Sequence, residues 1–327
     1  MGYQDIELIK DKGIAFLHLN WPKILSAFYW IRWDSKKIEL EGNMDIKNIA
    51  VVGAGIMGSG IAQVAASSGF QVWIIDLEDS ILHRAMETIR ESFDRMVKKG
   101  KIEETVEKDI LNRIHPTTDL KLALKNADYV IEAVPEILEL KQNMFKEMDA
   151  LTSSHVILAT NTSQFRITSI AAATQRPEKV VGTHFFNPPI MRRFVEIIRG
   201  LDTSEQTLHT TCEMLRRWDM ETIVCLRDST GFITARLLSL WVNEAQRLYE
   251  EGLASIEDID KACRLAFGHP MGPFQIADFT GLDTGLHVRK ALFEVYGERY
   301  RPTQILINLV EAGHLGRKSG RGYYTYE

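Results

Sequence analysis

The sequence predicts a doubly wound α/β domain followed by an all-α domain. Short apolar runs alternate with helical segments between residues 46 and 229, the pattern of a mostly parallel sheet covered on both faces. A glycine-rich turn stands at the first strand-to-helix junction of that region, and strand-like runs become scarce beyond Gly231. The expected organisation is an N-terminal extension over 1–45, a nucleotide-binding domain over 46–229 and a helical domain over 230–327. The break falls near Asp228–Gly231.

Bulk properties exclude several classes. The chain has 327 residues, 45% hydrophobic and 25% charged, with a net charge of -5. Nothing in that balance favours nucleic acid or an anionic membrane as partner. Cys212, Cys225 and Cys263 are odd in number and lack CxxC spacing, so they read as buried, reduced thiols. The segment from Gly13 to Ile31 is fairly apolar, but His18, Asn20, Pro22 and Lys23 make it a poor membrane span. Asp5, Glu7 and Asp11 argue against a transit peptide, and the expected location is cytoplasmic.

Along the chain, Ile6–Leu19 partly alternates and reads as a hairpin or two strands. Asn20-Trp21-Pro22 and the aromatic run Phe28-Tyr29-Trp30 follow. From Met44 a clearer pattern begins. Ile49–Val52 reads as a buried strand, Ile56–Ser68 as a helix closed by Gly69, and Val72–Ile75 as a second strand: a βαβ unit. A polar-faced helix is expected over Ser80–Lys99. Tyr129–Val134, Val156–Ala159, Val180–Thr183, Phe194–Ile198 and Thr222–Cys225 read as further strands, with a helix at Ser204–Arg217. In the second domain, Phe232–Glu251 and Ile256–Phe267, the latter capped by Ser255, are helical. The stretch Gly268–Pro273 is a turn, and Tyr323–Tyr326 is strand-like.

Gly53-Ala54-Gly55-Ile56-Met57-Gly58 is a G-x-G-x-x-G placed between a strand and a helix, the context that makes the pattern informative. Gly53 permits the tight turn, Gly55 lets backbone approach a pyrophosphate, and Gly58 lets helix and strand pack closely. The helix N-terminus, opening at Ile56 and Met57, offers free N–H groups to phosphates. Asp76 ends the second strand, where a ribose-binding carboxylate belongs. Such a carboxylate repels a 2′-phosphate and so favours NAD over NADP; FAD shares the glycine pattern. A helix cap before Ser80 is the other reading of Asp76.

His184 stands at the end of the Val180–Thr183 strand, where ligands of such sheets bind. Glu196 lies in the next strand, and a hairpin-like return would carry its carboxylate to the imidazole. A carboxylate on one ring nitrogen fixes the tautomer and supports the imidazolium formed when the other nitrogen takes a proton. Oxidation of an alcohol by hydride transfer needs such a base. Asn161-Thr162-Ser163, at another strand end, adds amide and hydroxyl groups. No metal-ligand spacing is present.

With these residues in view, the chain from Asp45 to Glu327 resembles the L-3-hydroxyacyl-CoA dehydrogenases, the bacterial 3-hydroxybutyryl-CoA dehydrogenases in particular. The stretches that carry the resemblance are GAGIMGSGIAQVAASSGF from Gly53, EAVPEILELK from Glu132, NTSQFRITSIA from Asn161, HFFNPPIMRRFVEI from His184, DIDKACRLAFGHPMGP from Asp258 and LGRKSGRGYYTY from Leu315. The resemblance implies NAD-dependent interconversion of L-3-hydroxyacyl-CoA and 3-ketoacyl-CoA, on short chains, by a homodimer formed through the helical domain. It implies that His184 is the general base, Glu196 its orienting partner and Ser163 a hydroxyl near the substrate oxygen and nicotinamide. Asn187, Glu136, Lys141 and Lys318 match positions that contact NAD, and Ser92 and Lys99 match positions that contact coenzyme A. From the residues alone, Glu136 and Lys141 also read as an exposed pair on the first turns of a helix. Lys99, with Lys98 and Lys101, also reads as a favourable charge at a helix C-terminus. The Asp278–Asp283 segment reads as packing at a domain or subunit contact.

Two departures stand out. The family carries an asparagine just before Arg236, near the reacting oxygen, where this chain has Ala235; Thr230 replaces a proline. Asp5–Ala27, with Asn20-Trp21-Pro22-Lys23, resembles the opening strands of an enoyl-CoA hydratase but stops short of any catalytic region of that fold. Two other functions stay open at this stage: a dehydrogenase of a free hydroxy or sugar acid, and a catalytically weak NAD-binding descendant.

Overall fold

The structure is a computed structural model and describes residues 6–11, 14–19 and 46–326. The chain forms two compact units, Met1–Asn43 and Met44–Glu327. In the first, β1 (Ile6–Asp11) and β2 (Ile14–Leu19) pair antiparallel, with Ile6 opposite Leu19 and Asp11 opposite Ile14. The expectations for the Asn20-Trp21-Pro22 and Phe28–Trp30 segments lie outside the described residues.

Among the described residues, the second unit holds an eight-stranded sheet of order β10-β9-β8-β7-β6-β3-β4-β5. Its strands are β3 (Asn48–Val52), β4 (Gln71–Ile75), β5 (Ile114–Thr117), β6 (Tyr129–Glu132), β7 (Ile157–Thr160), β8 (Val180–Phe185), β9 (Phe194–Ile198) and β10 (Glu221–Cys225). All neighbours are parallel except β8 and β9. The chain leaves β3 in one direction to β4 and β5 and returns on the other side to β6. The crevice at such a reversal, beyond the carboxyl ends of the strands, is where ligands of these sheets bind.

Both faces of the sheet are covered. One packs against α1 (Ile56–Ser67), α2 (Asp79–Lys98) and α7 (Glu205–Arg217), with Phe70, Phe93 and Trp218 fully buried. The other packs against α4 (Leu120–Leu124), α5 (Leu138–Leu151) and α6 (Ile167–Ala171), around Phe145, Met148 and Ile170. Burial on both faces explains why the central strands read as continuous apolar runs rather than alternating ones. α3 (Glu104–Leu111) completes this half.

The sequence reading differs from the fold in three places. β5 was not anticipated: Ile114-His115-Pro116-Thr117 has no apolar run, and the strand forms at the sheet edge, where a proline costs no ladder bond. β8 extends through Phe185, so His184 lies inside a strand rather than beyond its end. Tyr323–Tyr326 is not a strand. It is a tail held by Asp278, whose carboxylate accepts the Tyr323 and Tyr324 N–H groups (2.9 Å each) and the Tyr326 hydroxyl (2.8 Å).

The helical part comprises α8 (Thr234–Glu250), α9 (Ile256–Phe267), α10 (Pro273–Thr280), α11 (Leu282–Tyr296) and α12 (Gln304–Glu311). Ser255 caps α9 by accepting the Asp258 N–H, and Gly268 ends it in the left-handed conformation (φ 69°). The three cysteines are free and buried. No described helix is long and apolar enough to cross a membrane.

Candidate active site

The glycine turn joins β3 to α1. At Gly53 φ is +104°, and a Cβ there would lie 2.6 Å from the Ala133 carbonyl oxygen; at Gly58 it would lie 1.7 Å from the Gly53 oxygen. These two positions exclude any side chain. A Cβ on Gly55 would meet nothing within 4 Å, so that backbone faces open space. No side chain caps α1, which leaves its first N–H groups free for an external acceptor. Asp76 turns toward the loop: Oδ2 accepts the Ala54 N–H at 2.7 Å and Oδ1 the Leu77 N–H at 2.8 Å. α2 starts at Asp79 behind Glu78, so Asp76 does not cap it. These features fit a dinucleotide: a glycine face open to a pyrophosphate, a free helix N-terminus and a carboxylate beside the turn.

β6 ends in Glu132, and its carboxylate is buried with Lys141. Lys141 Nζ lies 2.7 Å from Glu132 Oε1 and 3.2 Å from Glu136 Oε2. Thr160 donates to Glu132 Oε2 at 2.7 Å. Lys141 is 0% exposed, which removes the reading of an exposed ion pair. Lys141 also fixes Glu136. Glu136 Oε1 in turn accepts the Thr162 hydroxyl and, at 3.0 Å, the Ser163 N–H. A buried ion pair thus positions the loop that carries Ser163.

β8 and β9 place His184 directly opposite Glu196 in antiparallel register. His184 Nδ1 lies 2.7 Å from Glu196 Oε2. Glu196 is fully buried, and Thr234, the first residue of α8, closes its other side: the Thr234 N–H donates to Oε1 at 2.9 Å and its hydroxyl to Oε2 at 2.7 Å. Burial pushes the Glu196 carboxyl up, but the bonds from His184 and Thr234 outweigh it and hold the group below the usual glutamate range. With Nδ1 engaged by a carboxylate, the imidazole carries its proton there and presents Nε2 as a base. Phe186 and Phe232 flank the ring. Thr234 is a positioning residue that the sequence reading missed; its only signal was its place at the start of a long helix.

These groups open on one cleft of about 850 Å³ between the sheet and the helical part. Met57, Glu136, Ser163, His184 and Asn187 line it on the sheet side, and Ala235, Ser239 and Arg289 on the helical side. Asn161 Oδ1 accepts the Phe185 N–H at 3.0 Å and ties the ends of β7 and β8 together. Lys318 stands at the rim: its ammonium pairs with Asp283 at 2.6 Å, and a Cβ on cleft-lining Gly281 would lie 3.5 Å from it. Ile56 is exposed at the start of α1. Ser92 and Lys99 are not brought to the cleft. Ser92 bonds Gln63 at 2.9 Å across α1 and α2, and Lys99 is the exposed residue that follows α2 as its C-cap.

Residues 48–229 match the 3-hydroxyacyl-CoA dehydrogenase NAD binding domain, and residues 231–326 match the C-terminal domain of the same family. The chain belongs to the 3-hydroxyacyl-CoA dehydrogenase family. Similar members of the family include a probable 3-hydroxybutyryl-CoA dehydrogenase of Bacillus subtilis, 44% identical over 87% of this chain and 99% of the relative. The structure of (S)-3-hydroxybutyryl-CoA dehydrogenase PaaH1 from Ralstonia eutropha is 40% identical, covers 86% of this chain and 99% of its own, and superposes with a TM-score of 0.82. A diketoreductase structure, at 30% identity and a TM-score of 0.78, covers 86% of this chain and 100% of its own. NAD is the cofactor of the matched domain, in agreement with Asp76 and the glycine turn.

Proposed function

We propose that this protein oxidises L-3-hydroxyacyl-CoA to 3-ketoacyl-CoA with NAD, and catalyses the reverse reduction, on short acyl chains. The observation that carries the reading is the His184–Glu196–Thr234 relay, whose His184 and Thr234 line the same cleft as Met57 of the glycine motif. When bound, NAD supplies the acceptor for the hydride from C3. His184 Nε2 takes the hydroxyl proton as the C3 carbonyl forms, and Glu196 stabilises the resulting imidazolium. In reduction the same nitrogen returns the proton to the oxygen. Ser163 donates to that oxygen, with its loop set by Glu136 and Lys141, and Asn187 lines the nicotinamide side. Lys318 at the rim joins the cofactor contacts. Ser92 and Lys99, outside the cleft, are the coenzyme A contacts in this reading.

Ala235 favours a second reading, a catalytically weak NAD-binding descendant, because the wall lacks the family amide there; a dehydrogenase of a free hydroxy acid would not need Lys99. NADH consumption with acetoacetyl-CoA against free acetoacetate separates the readings. Turnover of the thioester alone supports the proposal, turnover of the acid alone replaces it, and NADH binding without turnover of either points to a non-catalytic descendant.

Assembly as a homodimer through the helical part is supported by exposed apolar side chains there. Leu237 and Phe267 are exposed, and Trp241 and Phe267 both pack on His269. Light scattering that returns a monomer mass would exclude it.

A further inference from the structure

Arg289 is a buried charged group in the cleft wall that neither hydride nor proton transfer uses; Arg192, which also lines the cleft, is exposed and lies over the Phe279 ring. Arg289 lies on α11, is 4% exposed, and lines the same cavity as His184. Its Nη1 donates to Gln246 Oε1 at 3.2 Å, an oxygen already shared with the Thr303 hydroxyl at 2.7 Å. Its Nε is buried and has no hydrogen-bond partner. Among the described residues, no carboxylate forms an ion pair with it. Burial pushes the guanidinium down to about 10, which leaves it a cation at neutral pH.

A buried cation without an anion is costly to hold, and a counter-charge delivered by a ligand relieves that cost. Val242, Val288 and Leu306 line the same cleft, and the Gln246 oxygen that accepts from the guanidinium carries no charge to balance it. A guanidinium offers parallel N–H donors that match the two oxygens of a carboxylate. Buried Ser239, one turn beyond Ala235 on α8, adds a hydroxyl to the same wall. An alkyl chain end satisfies neither group.

We infer that the preferred acyl group carries a second, terminal carboxylate, and that Arg289 binds it. This rests on the acyl-CoA reading above and adds what lies at the far end of the acyl chain. Arg289 is then a specificity residue: a site built to hydrogen-bond a polar group discriminates against analogues that lack it.

The test compares NADH-dependent kcat/KM for 3-oxoadipyl-CoA, a six-carbon thioester with a free carboxylate, with that for acetoacetyl-CoA. Wild type is expected to favour the dicarboxylic thioester by at least about tenfold, the loss of one charge-assisted bond being worth that much or more. Arg289→Met brings the ratio to one or below through a higher KM for the dicarboxylic substrate, and Arg289→Lys recovers part of it. In wild type, adipyl-CoA raises the melting temperature more than butyryl-CoA does, a readout independent of turnover and of whether the variants fold. A wild-type ratio of one or less, an unchanged ratio in Arg289→Met, or equal melting shifts overturns the inference. Acetoacetyl-CoA turnover without a dicarboxylate preference overturns this inference alone; turnover of neither thioester overturns the acyl-CoA reading with it.

Discussion

Replacing Glu196 by glutamine exchanges one carboxylate oxygen for an NH₂ group, and the geometry decides which. Oε1 accepts the Thr234 backbone N–H at 2.9 Å, a donor that cannot rotate. Oε2 faces His184 Nδ1 and the Thr234 hydroxyl, both at 2.7 Å, and a hydroxyl can reverse its role. The glutamine therefore keeps its oxygen at the Oε1 site and points its NH₂ at His184. Nδ1 must then accept, the ring proton moves to Nε2, and the base is blocked. The opposite orientation sets NH₂ against a buried N–H, which costs about 1–3 kcal/mol, or roughly 5–150-fold in population. Loss of the charge-assisted bond to the imidazolium adds about 1.5–3 kcal/mol, roughly another 10–150-fold. The expected fall in kcat for Glu196→Gln is about 10²–10⁴-fold, in the range of wrong-tautomer substitutions in hydrolase triads. The assay is NADH oxidation with acetoacetyl-CoA, with NADH affinity followed by fluorescence and folding by circular dichroism. A folded, NADH-binding variant with kcat within about tenfold of wild type would refute the tautomer argument. The substitution also alters acid stability. Because the folded carboxyl lies below its ordinary value of 4.5, its stabilisation is present above that value and is lost as pH falls through the depressed one. Glu196→Gln removes that part of the acid-side loss, measured as melting temperature against pH.

Four further outcomes follow from other contacts. Lys141→Met leaves the Glu132 carboxylate buried without its cation and should destabilise the fold by about 3–5 kcal/mol, with recovery in the Glu132→Gln/Lys141→Met double variant; equal denaturant midpoints would contradict this. Asp76→Ala should raise the NADPH/NADH ratio of kcat/KM, and an already equal use of both by wild type would remove the ribose role. Ala235→Asn restores a donor toward the developing oxyanion; it should raise kcat more than it changes KM, by up to about 10²–10³-fold. An unchanged kcat would mean that another group holds the oxygen, and Thr234 is not that group, since both its donors are spent on Glu196. A chain beginning at Met44 should fold and keep the activity of the full chain, since Met44–Glu327 is a compact unit that contains both family domains; loss of soluble protein would show that the first unit is needed.

The glycine turn was legible in sequence because its constraints are local. Gly53 needs a positive φ, Gly58 must clear the Gly53 carbonyl, and both conditions act within six residues. The strands were legible because burial on both faces demands unbroken apolar runs, which β5, at the edge with Pro116, escapes. His184 and Glu196 were legible as a pair because consecutive strands often return on each other, and the register bears this out. The burial of Lys141 was not legible, because its spacing from Glu136 suits an exposed helix face as well as a buried bridge.

What the sequence determined by itself was the order of the buried strands of the sheet, the cofactor turn and the residue types of the base pair, all set by short-range periodicity and sterics. What only the tertiary structure decided was which distant groups share an environment. Thr234 reaches Glu196 across 38 residues, and Arg289 reaches Gln246 across 43. Neither contact has a periodic signature. A side chain's charge partner and its burial depend on how the helical part closes over the sheet, and local chain geometry does not encode that.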